Sequence, residues 1–336
     1  SLAGASVLAK VLHDKFIQYV PLYRQVNEWM RYGLETNDKN LSNWVIRAAH
    51  DWLMPVYDRM KALMMSKSVL HVDETYAKVI HRSDGKSGQT NAYNWVYRTV
   101  PSQGPVMILF QSALSRGRSV LESFTKGFKG TMICDGYSAY GHLPHVQFAN
   151  CWAHVRRYWL KAESKNGQKG VDFCDQLYRL ERKFKHLPPG KRRKQRQKHS
   201  KPIVEAFFQW IDTSPFFGKS ALAKAADYTL SRTEGLRAFL SDGRIEIDNN
   251  PAENAIRPNV IGRKNWLFSV SEAGARANAI CLSLAETAKS NDIDFYEYVK
   301  KLLTDLPTLD IHRKPEILDQ YLPWSKNIQA TCAKLE

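Results

Sequence analysis

The sequence predicts an α/β protein in which a mixed sheet is preceded, interrupted and followed by helical regions. Three observations lead there. Apolar residues recur at helical spacing from Val7 to Met65, short apolar or β-branched runs bounded by Gly, Pro, Ser and Asn begin at Ser68, and strand signals vanish between Ala162 and Gly243. At 336 residues the chain exceeds one average domain, and its 43% hydrophobic and 24% charged residues sit near globular averages. No run of about eighteen apolar residues occurs, so a membrane-spanning helix is not expected.

The helical opening carries Val7, Val11 and Leu12, then Trp44, Ile46, Leu53 and Tyr57, with breaks at Pro21 and at Thr36-Asn37-Asp38. Residues 68–73, 94–100 and 106–110 read as strands, 115–124 as a short helix, 130–135 and 146–151 as further strands, and 152–162 as a helix. Helical periodicity returns over 171–187 and 203–211. Across the stretch between them, residues 183–201 carry nine Lys or Arg and no acid, a run that serves either as a solvated face or as a phosphate-contacting surface. After Asp242 an Asn-Pro pair starts a helix, 265–270 reads as a strand, 274–289 as a helix, and 296–303 with 315–324 as a helical tail. The expected division is a helical N-terminal region (1–66), a discontinuous sheet domain (67–160 and 243–291), a helical segment (161–242) and a tail (292–336).

Forty-nine Lys and Arg against thirty-three Asp and Glu give a net charge of +16 and an isoelectric point near 9.6, which points to nucleic acid or an anionic membrane as partner. The basic residues are spread along the chain rather than along one amphipathic helix, which favours nucleic acid. Cys134, Cys151, Cys174, Cys281 and Cys332 are odd in number and lack a C-x-x-C pair, which fits reduced thiols in a cytosolic compartment. The chain opens Ser1-Leu2-Ala3-Gly4 without a charged or apolar leader, so a trimmed start is expected rather than a signal peptide.

Three acidic residues lie where regular elements end. Asp73 closes the Val-Leu-His-Val run, and Asp135 follows Met132-Ile133-Cys134 and precedes Gly136, which lets the chain turn. Two strand-end aspartates in one sheet make a hard-cation site, since Mg²⁺ takes one or two carboxylates plus water and phosphate oxygens. Glu253 follows Asn250-Pro251-Ala252 and fits a capping box with Asn250 as N-cap, Pro251 at the first helical position and Arg257 one turn on as ion-pair partner. A metal ligand can occupy the same turn. Three carboxylates in a basic chain suggest two-metal phosphoryl chemistry.

A string of motifs then resembles the insertion-sequence-66 family of bacterial DDE transposases. It comprises His71-Val-Asp-Glu-Thr75, Cys134-Asp-Gly-Tyr-Ser-Ala-Tyr140, Cys151-Trp-Ala-His-Val-Arg-Arg157, the stretch from Leu240 through Asp248-Asn-Asn-Pro-Ala-Glu253 to Pro258, Gly262-Arg-Lys-Asn-Trp-Leu-Phe268 and Leu322-Pro-Trp324, in that order. The resemblance implies a ribonuclease H-like catalytic fold with Asp73, Asp135 and Glu253 as the DDE triad and metal ligands. Two Mg²⁺ ions, replaceable by Mn²⁺, are implied as cofactors. Segment 161–242 becomes an all-helical insertion. The implied partners are DNA, a second copy of the chain on paired ends and accessory proteins of the same element, in a bacterial cytoplasm near the nucleoid. The family's zinc-binding and helix-turn-helix segment lies ahead of the matched region, so this chain is expected to bind DNA without reading the transposon end.

Arg156, Arg157, Arg257, Arg263 and Lys264, with Lys191, Arg192, Arg193 and Lys194 of the basic run, are candidate phosphate contacts. Trp266 serves either as a stacking platform for an exposed base or as a core residue of a strand. Cys151 and His154 match a C-x-x-H signature of transposases with helical insertions; two ligands are too few for structural zinc, and a buried thiol beside a hydrogen-bonded His is the plainer reading. His71 and His81 read as structural or incidental. A catalytically silent DNA-binding regulator of the same fold is the alternative.

Overall fold

A computed structural model describes residues 3–81, 90–137, 143–311 and 313–334. In it one mixed sheet organises the chain. Four helices come first: α1 (Ala5–Phe16), α2 (Leu22–Arg31), α3 (Asp38–Ala48) and α4 (Met54–Met65). Pro21 caps α2, and Asn37 caps α3 by accepting a hydrogen bond from Asn40 N, as the two sequence breaks require. Strands β1 (Val69–His81), β2 (Thr90–Thr99) and β3 (Ile108–Ala113) form an antiparallel meander. Then α5 (Arg118–Phe124) returns the chain so that β4 (Gly130–Cys134) and β5 (Val146–Asn150) add in parallel on the other side of β1, giving the order β3-β2-β1-β4-β5.

After α6 (Trp152–Leu160) comes a helical segment with α7 (Lys165–Phe184), α8 (Pro189–Gln195), α9 (Lys201–Asp212), α10 (Ala221–Leu230) and α11 (Thr233–Arg237). The chain returns through α12 (Asn250–Trp266), the short β6 (Ser269–Ser271), α13 (Glu272–Ser290), α14 (Phe295–Asp305) and α15 (Lys326–Cys332). Alternation along the strands sends Leu70, Val72, Met132 and Cys134 into a core shared with the N-terminal helices, α13 and α14. It sends Val69, Ile133 and Ala149 into a second core with Trp152, Val155 and Trp159 of α6 and with Val171, Leu177, Phe207 and Phe239 of the helical segment.

Several elements differ from expectation. Strand β1 runs eight residues past Asp73, because β2 pairs with it as far as Val79. The expected strand 265–270 is instead the last turn of α12 and a three-residue β6: the Trp266 ring covers Gly262 one turn back, where a Cβ would lie 2.3 Å from the ring, and Leu267 at φ 63° ends the helix. The tail segment 315–324 is a 3₁₀ stretch, Pro315–Tyr321, followed by turns. Among the described residues no helix is long and apolar enough to cross a membrane.

Candidate active site

The register of the central strands brings the first two acids together. His71 on β1 lies opposite Ile133 on β4, so two residues further along these parallel strands Asp73 and Asp135 share one face, the face that packs on α6 and the helical segment. Asp73 is therefore mid-strand in β1, not at its end; the sheet edge it faces is made by β4, which stops at Cys134. Asp135 opens a turn in which its Oδ1 accepts from Tyr137 N at 2.9 Å and Gly136 takes φ 88°. The Ser138-Ala139-Tyr140 part of that motif lies outside the described residues.

Glu253 joins from the first turn of α12. The expected capping box does not form: Asn249, not Asn250, precedes the helix, and its side chain is engaged elsewhere. Asn249 Nδ2 donates to Val72 O at 2.9 Å, its Oδ1 faces His71 Nδ1 at 2.9 Å, and its backbone N–H points to Cys151 Sγ at 3.2 Å. His71 Nε2 lies 3.1 Å from Glu246 Oε2, so this fully buried ring rivets β1 to the segment that leads into α12. His71 is thus a scaffold for the site.

Burial, then the charge of Glu74, and then the charges of Asp135 and Glu253 push the Asp73 carboxyl up to about 7, against a lowering hydrogen bond from Glu74 N–H. The carboxylates of Asp135 and Glu253 are therefore close enough for their charges to act on Asp73. Glu74 points to the opposite face, where Arg116 holds it through Nε at 2.6 Å; Arg116 also lies 3.7 Å over the Tyr137 ring.

Arg157 of α6 donates through Nη2 to both Glu253 oxygens, at 3.0 and 2.9 Å. No ion pair joins Glu253 to Arg257 among the described residues; Arg257 is exposed one turn further on. Cys151, His154 and Glu253 set possible ligand atoms within 4.8 Å of one another. Arg157 Nη1 lies 3.3 Å from His154 Nε2, and a guanidinium can only donate, so Nδ1 carries the ring proton and faces Glu253 Oε1 at 3.8 Å. Burial first, then Arg157, lowers the His154 pKa and keeps the ring neutral, while burial pushes the Cys151 thiol up to about 12. His154 lies beside Glu253, and Cys151 is the buried residue at the start of α6.

The basic candidates scatter. Arg156 pairs with Asp175 at 2.7 Å. Arg263 donates to Tyr76 O, Lys264 is exposed, and Trp266 packs edge-on against Phe16 with Lys15 Nζ 4.7 Å over its ring. These last three sit toward the far end of α12, roughly 15–20 Å from Glu253 at 1.5 Å per residue. Lys191, Arg193 and Lys194 are exposed, whereas Arg192 turns inward to Glu181 at 2.7 Å and so departs from the phosphate-contact expectation.

Two residues beside the acids carried no sequence signal. Tyr228 of α10 donates to Asp135 O at 2.7 Å, and Arg232, just past α10, donates to Gly136 O at 3.0 Å.

The chain matches the family described as transposase IS66 family over residues 1–277. Three uncharacterized proteins of Sinorhizobium fredii are similar to it. One, y4qI, is 32% identical over 89% of this chain and 58% of its own length; y4hP is 28% identical over 96% and 62%; and y4jD is 28% identical over 96% and 66%. The chain thus spans about three-fifths of the length of the curated relatives it matches.

Proposed function

This chain belongs to the IS66 family of transposases, and from that premise we propose that it is the catalytic portion of a DDE transposase that cleaves DNA at an insertion-sequence end and transfers the freed strand to target DNA. One observation carries the reading: two residues past the His71–Ile133 register pair, Asp73 on β1 and Asp135 just beyond β4 lie on one face of the sheet, and burial, the charge of Glu74 and then the charges of Asp135 and of Glu253 from α12 hold Asp73 up to about 7. The sheet order, with the first strand central and the two acids at the β1–β4 junction, supports a ribonuclease H-like core with 161–242 as its insertion.

The donor set suits a hard divalent cation, because half-buried carboxylates gathered on one side of the sheet offer the hard oxygen ligands such an ion takes. Asp73 and Asp135 would hold one Mg²⁺ or Mn²⁺ and Glu253 a second, and when bound these ions supply the charge that activates an attacking oxygen and stabilises the leaving one. Arg157 neutralises Glu253 and can turn its two N–H donors to a phosphate oxygen. Neutral His154 lies beside that carboxylate, its Nδ1 3.8 Å from Glu253 Oε1. Exposed Arg257 on the next turn of α12 is placed to meet the DNA backbone. The +16 charge favours DNA as partner, and we read the active form as a dimer on paired ends.

A silent DNA-binding regulator has no observation in its favour, since all three carboxylates are present and converge. Cleavage of an end-bearing duplex, followed with Asp73→Asn, Asp135→Asn and Glu253→Gln, tests the reading. Each should lose cleavage by several orders of magnitude while DNA affinity holds. A variant that still cuts would remove its residue from the triad.

A further inference from the structure

The helical segment does more than enlarge the second core, because its α10–α11 junction touches the turn that carries Asp135. Tyr228 gives its hydroxyl proton to Asp135 O at 2.7 Å. Arg232 Nη2 reaches Gly136 O at 3.0 Å, while its Nη1 closes back on Tyr228 O at 3.1 Å and Ser231 Oγ at 2.8 Å. The guanidinium lies 3.9 Å over the Tyr228 ring, and that ring stacks on Tyr158 of α6 at 4.1 Å and 15°. Tyr158, Tyr228 and Arg232 form one layered stack ending on the backbone of the turn.

The fit leaves no slack. A Cβ on Gly136 would lie 2.4 Å from Arg232 Nε, and at φ 88° the position already excludes most side chains. A Cβ on Gly235 of α11 would lie 2.0 Å from Asn150 Oδ1, so α11 is seated against β5 beside the same turn. Arg232 Nε is buried without a hydrogen-bond partner, a cost accepted where the guanidinium is pressed against Gly136. On the sheet side, regular β4 ends at Cys134, whose carbonyl accepts from Cys151 N at 3.1 Å. The next two carbonyls are those of Asp135 and Gly136, and both are taken by the helical segment.

We propose that Tyr228 and Arg232 are positioning residues for Asp135: by holding the carbonyls of Asp135 and Gly136 they fix the carboxylate opposite Asp73, and the helical segment thereby becomes part of the active site. The proposal rests on the reading of Asp135 as a metal ligand. A cation held by one or two carboxylates needs them placed to within about 0.5 Å, so a turn released by one hydrogen bond binds the ion less well without losing its ligands.

Tyr228→Phe keeps the stack and removes only the hydroxyl, and Arg232→Lys keeps the charge but loses the fork. Mn²⁺ binding to the full chain, followed by Mn²⁺ electron paramagnetic resonance and by Mn²⁺-dependent thermal stabilisation, should weaken several-fold in Tyr228→Phe and further in Arg232→Lys. Melting without metal and DNA affinity should stay at the wild-type level. The Mn²⁺ concentration for half-maximal cleavage should rise by the same factor, and the rate at saturating Mn²⁺ should recover. Wild-type Mn²⁺ binding in both variants, or a fall in metal-free melting that accounts for the loss, would overturn the positioning role. Asp135→Asn is the control beneath it: wild-type Mn²⁺ binding in that variant would overturn the metal reading itself.

Discussion

Two arginine–glutamate pairs in this molecule use the same chemistry to opposite ends. In the helical segment Arg196 is fully buried; its Nε and Nη2 each meet Glu181 at 2.7 Å, and its Nη1 donates to Phe239 O, Asp242 O and Ile245 O at 2.7, 3.0 and 2.8 Å. Arg192 adds a second cation on Glu181 at 2.7 Å. Burial raises the Glu181 pKa, but the two arginines outweigh it and the net shift is downward. At the candidate site, the Arg157 and Glu253 side chains are 49% and 28% exposed, and the guanidinium offers Glu253 only one nitrogen. Saturation makes the first pair a lock. Exposure makes the second a placeholder, because a cation that water can reach exchanges for another at little cost.

The sharpest break of this comparison is one substitution at each glutamate. Glu253→Gln should abolish cleavage by several orders of magnitude and leave thermal stability near wild type, because Arg157 remains hydrated when its partner loses charge. Glu181→Gln should do the reverse, costing about 3–5 kcal/mol by leaving Arg196 buried beside a neutral group. Urea denaturation of both variants at pH 7 checks the pair of outcomes. A large stability loss in Glu253→Gln would make that residue structural, as the unformed capping box once implied.

Lys15 supplies the case of a buried cation with no anion. It is 7% exposed, its Nζ faces the Trp266 and Phe16 rings at 4.7 and 5.7 Å, and no carboxylate pairs with it among the described residues. Burial, partly offset by Cys281, brings its pKa down to about 8 from 10.5. Between those values the unfolded chain binds more protons than the folded one, so stability should rise as pH climbs from about 8 to 10.5. Lys15→Met should flatten that rise and add on the order of 2–3 kcal/mol at pH 7. Denaturation curves at pH 7, 9 and 10.5 decide it, and an unchanged pH slope in the variant would acquit Lys15.

Much of this was legible in the sequence. Strand signals placed β4 and β5 to within a residue and located β1 and β2, although β1 runs eight residues further and β2 starts four residues earlier than expected; the two aspartates stood out because an acid after an apolar run has no place in a core. What stayed hidden depends on residues distant in sequence. Asn249 resembles a mere neighbour of a cap until His71 and Val72 are seen to claim its side chain. Arg192 and Arg193 are adjacent and chemically alike, yet only Arg192 shares a helical face with Arg196 and meets Glu181. Tyr228 and Arg232 lie some ninety residues beyond Asp135 with no periodicity linking them, and only the fold brings them to its turn.

The smallest expected effect separates those neighbours. Changing Lys191, Arg193 and Lys194 together to Ala should leave stability within about 0.5 kcal/mol, since all three are exposed. If the run lies along DNA, the salt dependence of binding should flatten by up to roughly 0.9 log unit per lost phosphate contact, with all sequences affected equally. Arg192→Ala should give the opposite pattern, with lower stability and the salt slope kept, because its guanidinium is already held by Glu181. Binding isotherms from low to moderate salt on end-bearing and scrambled duplexes read both effects. A slope flattened by Arg192→Ala as much as by any one of its exposed neighbours would mean that DNA draws the side chain off Glu181, and the lock would then belong to Arg196 alone.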